Sequence, residues 1–264
     1  MLVLTDHGSV REIRLARPPV NALDPDLILA LRQALAAVFH PRPVDTSAEA
    51  PVARPEAVVL TGSAGYFSGG LDVPALLKLG RDEMLGVWRD FLGLLSDLAS
   101  APVPVACALT GHSPAGGTVL AIFADYWVMA DGPYKLGLNE VQVGLAVPEA
   151  LLTALTHVVG SRQAERLAVG GLLVGPAEAL RYGLVDEVVP LEEVVLRAHS
   201  FVRDLLARPR RAMLATRARV RRPLAEAFAR IGDEDIEAIV AEWFSDETQS
   251  TLHKLAARLG KRNP

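Results

Sequence analysis

Two kinds of hydrophobic pattern alternate along the first two thirds of this chain. Short apolar runs bounded by Gly or Pro predict buried strands at residues 10–15, 57–61, 103–109 and 126–130. Between them lie segments with helical spacing. After Asp24-Pro25, Leu27, Ile28, Leu31, Leu35 and Val38 fall on one helical face; Asp is a favoured N-cap and Pro a favoured first helical residue. A second amphipathic helix is predicted over 84–98 and a short apolar helix over 118–124. Strands alternating with helices predict an α/β fold with buried, largely parallel pairing. From Pro148 onward the pattern is helix after helix, broken only by a strand-like run at 185–189. This predicts a core over residues 1–190 and a helical C-terminal region over 191–264. Residues 41–56, rich in Pro, Ala and charge, read as a long loop.

Composition narrows the classes. A chain of 264 residues, half of them hydrophobic, suffices for one large domain or a domain with a small appendage. The net charge of −4 gives no bulk attraction to nucleic acid or anionic membrane. Cys107 is the sole cysteine, which excludes intramolecular disulfides and cysteine-based zinc sites and suits a reducing, cytoplasmic setting. Met1 to Gly8 lacks a basic segment leading into an apolar run, so no secretory leader is expected, and no apolar run unbroken by Gly, Pro or Asp reaches the roughly 18 residues of a membrane span.

The chemistry concentrates in two glycine turns, each following a buried strand: Ser68-Gly69-Gly70-Leu71-Asp72 and Ala115-Gly116-Gly117. Glycine permits sharp turns and close approach of a ligand to backbone. A helix that starts on glycines presents free N–H groups and a positive dipole end. If both turns face one pocket, one N–H from each can hold a single oxygen; losing one such donor typically costs roughly 2.7–4 kcal/mol of transition-state stabilisation. Downstream, Glu140 stands alone in a mostly apolar run, 136–145. It is either an exposed carboxylate, as most Glu are, or a general base whose apolar surroundings disfavour its ionised form. The six histidines show no metal-ligand spacing.

The ordered set 17–23 (RPPVNAL), 67–72 (FSGGLD), 114–117 (PAGG), Asp125-Tyr126, 137–140 (GLNE), Ala164-Glu165-Arg166, 176–180 (PAEAL) and 183–186 (GLVD) resembles the crotonase, or enoyl-CoA hydratase/isomerase, superfamily. The likeness covers nearly the whole chain and is greatest to the mitochondrial-type Δ3,Δ2-enoyl-CoA isomerase branch. It implies a spiral of ββα repeats, C-terminal helices that build a homotrimer or a dimer of trimers, and an acyl-CoA substrate. Coenzyme A would then be part of the substrate, with no permanently bound cofactor, no metal, and neither nucleic acid nor membrane as partner. By position it implies that Leu71 and Gly116 supply the oxyanion-hole amides and that Glu140 is the base. Ser68, Gly69, Gly70, Asp72 and Asn139 would line the substrate and CoA site. Hydratases of the superfamily usually carry a second Glu where this chain has Val119, and valine cannot activate water. Glu149 is the one nearby acid that could replace it, although a first-turn helix acid is the simpler reading.

Rival readings are weaker. Residues 111–116 (GHSPAG) nearly spell a serine-hydrolase elbow, with Asp186 and His199 or His253 following in order. However, the elbow's oxyanion hole needs the N–H of the residue after Ser113, and Pro114 has none. Seven arginines between Arg208 and Arg222, with no intervening acid, could track RNA phosphates or meet those of CoA; a solvated helical face is the default.

Overall fold

The structure is a computed structural model that describes residues 1–40 and 54–260. Most of the predicted 41–56 loop therefore lies outside the described residues.

The chain opens with an antiparallel hairpin, β1 (Leu2–His7) and β2 (Val10–Leu15). Helix α1 (Pro25–Phe39) starts as predicted, with the Asp24 carboxylate accepting from Leu27 N–H at 2.9 Å and Pro25 at the first position. Three units follow, each sending one strand into a large sheet and the next into a small one before turning into helix. The first is β3 (Ala57–Thr61), β4 (Gly65–Tyr66), α2 (Val73–Leu76) and α3 (Arg81–Ala99). The second is β5 (Val105–Leu109), β6 (Gly111–Pro114) and α4 (Gly116–Ala121). The third is β7 (Tyr126–Ala130), β8 (Leu136–Gly137), a 3-10 helix (Glu140–Val143) and α5 (Glu149–Val169). Helix α6 (Pro176–Tyr182) leads into β9 (Glu187–Val189), and the chain continues as α7 (Leu191–Leu206), α8 (Arg210–Ala229), α9 (Asp233–Trp243) and α10 (Asp246–Gly260).

The large sheet has the order β1-β2-β3-β5-β7-β9 and is parallel from β2 onward; the small sheet is β4-β6-β8, also parallel. The repeating ββα unit is thus a spiral whose turns stack β3 on β5 on β7. Sheet spacing in the small stack is tight. A Cβ on Gly111 would lie 2.0 Å from the Gly65 carbonyl carbon, so that pairing requires glycine.

Both faces of the large sheet are buried, which is why its strands read as continuous apolar runs. One face, with Ile13, Val58, Leu60, Cys107 and Leu109, packs with the apolar stripes of α1 and α3 in the main core. The other, with Ala57, Val59, Ala106, Ala108, Val128 and Ala130, meets Val194, Ala198 and Val202 of α7. Four alanines on that face allow a close helix approach.

The differences from the sequence reading are local. The predicted 103–109 strand begins at Val105, and the predicted 118–124 helix is α4, two residues earlier at its start because Gly116 and Gly117 join the first turn. Strand β1 was not predicted: it is an edge strand with most of its side chains exposed, so its apolar residues show no burial pattern. Among the described residues, no helix is long and apolar enough to cross a membrane.

Candidate active site

The two glycine turns meet. A Cβ on Gly70 would stand 3.2 Å from the Gly116 nitrogen, and one on Gly116 would stand 3.3 Å from the Leu71 nitrogen. Leu71 pairs with Leu23 as an isolated parallel bridge, in which Leu23 N–H donates to Gly70 O at 2.8 Å and Asp72 N–H to Leu23 O at 3.0 Å. A parallel bridge uses the flanking groups, so the Leu71 N–H is left with no acceptor among the described residues. Gly116 is the first residue of α4, whose N–H has no intrahelical partner by geometry. Two free amides thus approach one another, one of them at a helix start.

Their positions are fixed from behind. Buried Asn21, at φ 52°, donates to Tyr66 O at 3.2 Å and Phe67 O at 3.1 Å and accepts from Arg17 N–H at 2.8 Å. The Ser68 hydroxyl donates to Asn21 O at 2.8 Å and accepts from Gly70 N–H at 3.2 Å. Arg17 bridges the Asp24 carboxylate at 2.6 Å and the Asp72 carboxylate at 3.0 Å, and each of these acids caps a helix. On the second turn, Thr118 Oγ1 donates to Ser113 O at 2.5 Å and accepts from Gly137 N–H at 2.8 Å, tying α4 to the strand that leads to Glu140. Ala115 caps α4 at φ 45°, a conformation strained for any residue but glycine.

Glu140 opens the 3-10 helix, which ends at Gly144 in the left-handed conformation. Thr248 of α10 donates its hydroxyl to Gly144 O at 2.7 Å, and Gln142 Nε2 donates to Gly171 O at 2.7 Å, so helix and carboxylate are held from both sides. Glu140 Oε2 is buried without a hydrogen-bond partner. Burial pushes the carboxyl up to about 7, opposed only in part by its own backbone N–H.

Leu71, Gly116 and Glu140 line one cavity of about 360 Å³. Gly69, Asn139 and Val119 line it as well; Ser68, Gly70 and Asp72 do not, and their groups serve the loop contacts described above. Among the described residues that line the cavity, Glu140 has the one ionisable side chain. Glu149 is exposed in the first turn of α5 and lines a separate depression. The far wall was not legible in the sequence: Trp88 and Phe91 from α3, Trp243 from α9, and Leu252, Leu255 and Leu259 from α10. Helical periodicity marks these residues only as apolar-face residues, and nothing local distinguishes a cavity wall from a core.

The rival chemistries lose their geometry. Ser113 is buried and its hydroxyl has no partner, while His199 pairs with Glu12 and His253 bonds Gln249 O on α10. Three residues of the arginine run are occupied: Arg210 on Glu56, Arg217 on Asp125 and Ala101 O, and Arg221 on Leu98 O and Phe123 O. Local spacing also concealed one cluster, since folding brings His7, Glu12 and His199 together.

The family model described as enoyl-CoA hydratase/isomerase matches residues 5–258. The chain belongs to the enoyl-CoA hydratase/isomerase family. It is 32% identical over 262 residues to human enoyl-CoA delta isomerase 1, mitochondrial, covering 98% of this chain and 83% of that protein. It is 33% identical over 205 residues to a probable enoyl-CoA hydratase of Mycobacterium avium, covering 78% of this chain and 75% of that protein. The crystal structure of human mitochondrial delta3-delta2-enoyl-CoA isomerase superposes with a TM-score of 0.91 at 30% identity, covering 100% of this chain and 99% of that one. Family membership and fold agree with the crotonase-like spiral expected from the sequence.

Proposed function

We propose that this enzyme is a Δ3,Δ2-enoyl-CoA isomerase acting on acyl-CoA thioesters. The observation that carries the reading is the isolation of Glu140: a single buried carboxyl, poised near neutrality, in a cavity shared with two free backbone amides. The thioester oxygen accepts from the N–H groups of Leu71 and Gly116. Glu140, ionised, removes a proton from C2, and the electron pair moves onto the thioester oxygen as an enolate. The same carboxyl, now protonated, returns the proton at C4 while the double bond moves from C3–C4 to C2–C3. Base and acid are one group, so a pKa near the working pH serves both halves. No water enters and no electrons leave. Asn139, which lines the cavity with a buried, unpartnered side-chain oxygen, would contact the acyl portion.

Hydration needs a second acid–base group to activate water. Val119 occupies the position expected for it, and the cavity offers no other carboxylate among the described residues. The similarity to both an isomerase and a probable hydratase leaves the reaction to this difference. The test is a parallel assay with 3-enoyl-CoA and 2-enoyl-CoA on the native enzyme and on Glu140→Gln. Migration of the double bond, little hydration, and loss of migration in the variant are expected; hydration as fast as migration would overturn the assignment.

The remaining expectations form part of the same proposal. A homotrimer or a dimer of trimers is supported by the family resemblance, and light scattering distinguishes them. The cytoplasmic placement rests on cysteine usage, whereas the mammalian relatives are named as mitochondrial; cell fractionation decides it.

A further inference from the structure

From the arrangement of His7, Glu12 and His199 we infer that the chain carries a zinc-type transition-metal site outside the catalytic cavity, pinning the first hairpin to α7. The three residues come from the end of β1, the middle of β2 and the middle of α7, and their donor atoms all lie within 4.8 Å of one another. Glu12 Oε2 is 2.9 Å from His199 Nε2 and 3.4 Å from His7 Nε2. With zinc–ligand distances of roughly 2.0–2.1 Å, two ligands of a tetrahedral ion stand about 3.3–3.4 Å apart. The two separations that involve Glu12 are already close to that value, and the third, between the histidines, is at most 4.8 Å.

The chemistry of the set selects the ion. Two imidazoles and one carboxylate suit zinc and its first-row neighbours, whereas calcium and magnesium take oxygen ligands. His199 is buried, its Nε2 shares a ring proton with Glu12 at 2.9 Å, and its Nδ1 has no partner among the described residues. That proton can reside on Nδ1, leaving the Nε2 lone pair for a metal. His7 is partly exposed, its side chain at 40%, which gives an ion a path from solvent and room for a water as fourth ligand. The two rings meet edge to face with centroids 4.7 Å apart, so they are already packed around the carboxylate. The cluster lies on the α7 side of the large sheet, and none of its three residues lines the cavity that contains Glu140. An ion there joins the N-terminal edge of the sheet to a helix 187 positions downstream of Glu12.

The test uses full-length protein stripped with a chelator and titrated with zinc by calorimetry, and with cobalt by visible absorption. One ion per chain, a rise in thermal midpoint on zinc addition, and a cobalt spectrum of tetrahedral intensity are expected. His7→Ala, at a position whose side chain is 40% exposed, should weaken zinc binding by more than about tenfold, the scale seen even when only a group that orients a ligand is lost. Glu12→Gln should do the same. Double-bond migration measured in parallel reports separately on Glu140. Absence of stoichiometric binding, or binding that survives both variants, would overturn the inference.

Discussion

Replacing Glu140 by Gln should make the protein more stable as well as inactive, and the gain should depend on pH in a calculable way. Burial raises the Glu140 carboxyl from 4.5 in the unfolded chain to about 7 in the fold. Between those values the folded state holds a proton that the unfolded state has released, so stability falls as pH rises through this window. One pKa unit corresponds to about 1.4 kcal/mol, so the full penalty at high pH is on the order of 3 kcal/mol. At pH 5 part of it is already present, which leaves about 2–3 kcal/mol to develop by pH 8. Gln cannot ionise and escapes the penalty. The stability difference between variant and native protein should therefore widen in favour of the variant by that amount from pH 5 to pH 8. For a chain of this size the corresponding change in thermal midpoint is on the order of 5–10 °C. Thermal or denaturant unfolding at several pH values, at one protomer concentration because assembly shifts apparent stability, provides the measurement. A difference that stays constant with pH would show that Glu140 ionises as freely in the fold as in the unfolded chain. The physical basis for its role as a poised base would then be gone.

Other outcomes follow from the same geometry. In the native enzyme kcat/KM for double-bond migration should rise with a single-proton slope and level off above about 7, since only the ionised carboxylate can begin the reaction; Glu140→Gln should lose about 10²–10⁴-fold in turnover. Gly116→Ala would push a methyl to 3.3 Å from the Leu71 nitrogen and 3.0 Å from Leu23 Cδ1, and should lower kcat by about 10²–10³-fold while circular dichroism stays native. Arg17→Leu removes the guanidinium shared by Asp24 and Asp72 and should cost roughly 1.5–3 kcal/mol in unfolding experiments, with a drop in kcat larger than any change in KM. Ala115→Gly relieves a non-glycine residue at φ 45°; relief of about 1–3 kcal/mol outweighs a loss of about 0.4–1 kcal/mol from the freer unfolded chain, so the thermal midpoint should rise.

What the sequence made legible divides along a physical line. Strands β3 and β7 and helix α1 start where the apolar pattern and Asp24-Pro25 place them, because local chemistry and tertiary burial agree there. The glycine turns were legible for a related reason. Gly70 and Gly116 occupy places where a Cβ would press on opposing backbone, and such constraints leave few acceptable residues. The two-residue strands β4 and β8 were not, since a strand of that length carries no period. The burial of Glu140 was equally hidden. Its neighbours Val141 and Gln142 are exposed, and the 3-10 helix that carries it is held by elements far along the chain, among them α10, whose Thr248 bonds Gly144 O.

This asymmetry has a consequence for how the enzyme divides its tasks. The groups assigned to the reaction lie on the ββα units, on turns whose backbone is held by Asn21, Arg17, Ser68 and Thr118. The apolar wall that an acyl chain would meet comes from α3, α9 and α10, through Trp88, Phe91, Trp243 and Leu252. Changes in that wall alter the volume and shape of the cavity without moving either amide or the carboxylate. Changes in the turns alter the charge stabilisation without reshaping the wall. Trp243→Phe should therefore shift the preferred acyl length, read as kcat/KM across a series of 3-enoyl-CoA chain lengths, while the pH at half-maximal rate stays near 7. If the substitution moved the pH profile instead, wall and base would be one coupled unit, and the separation of binding from chemistry would fail.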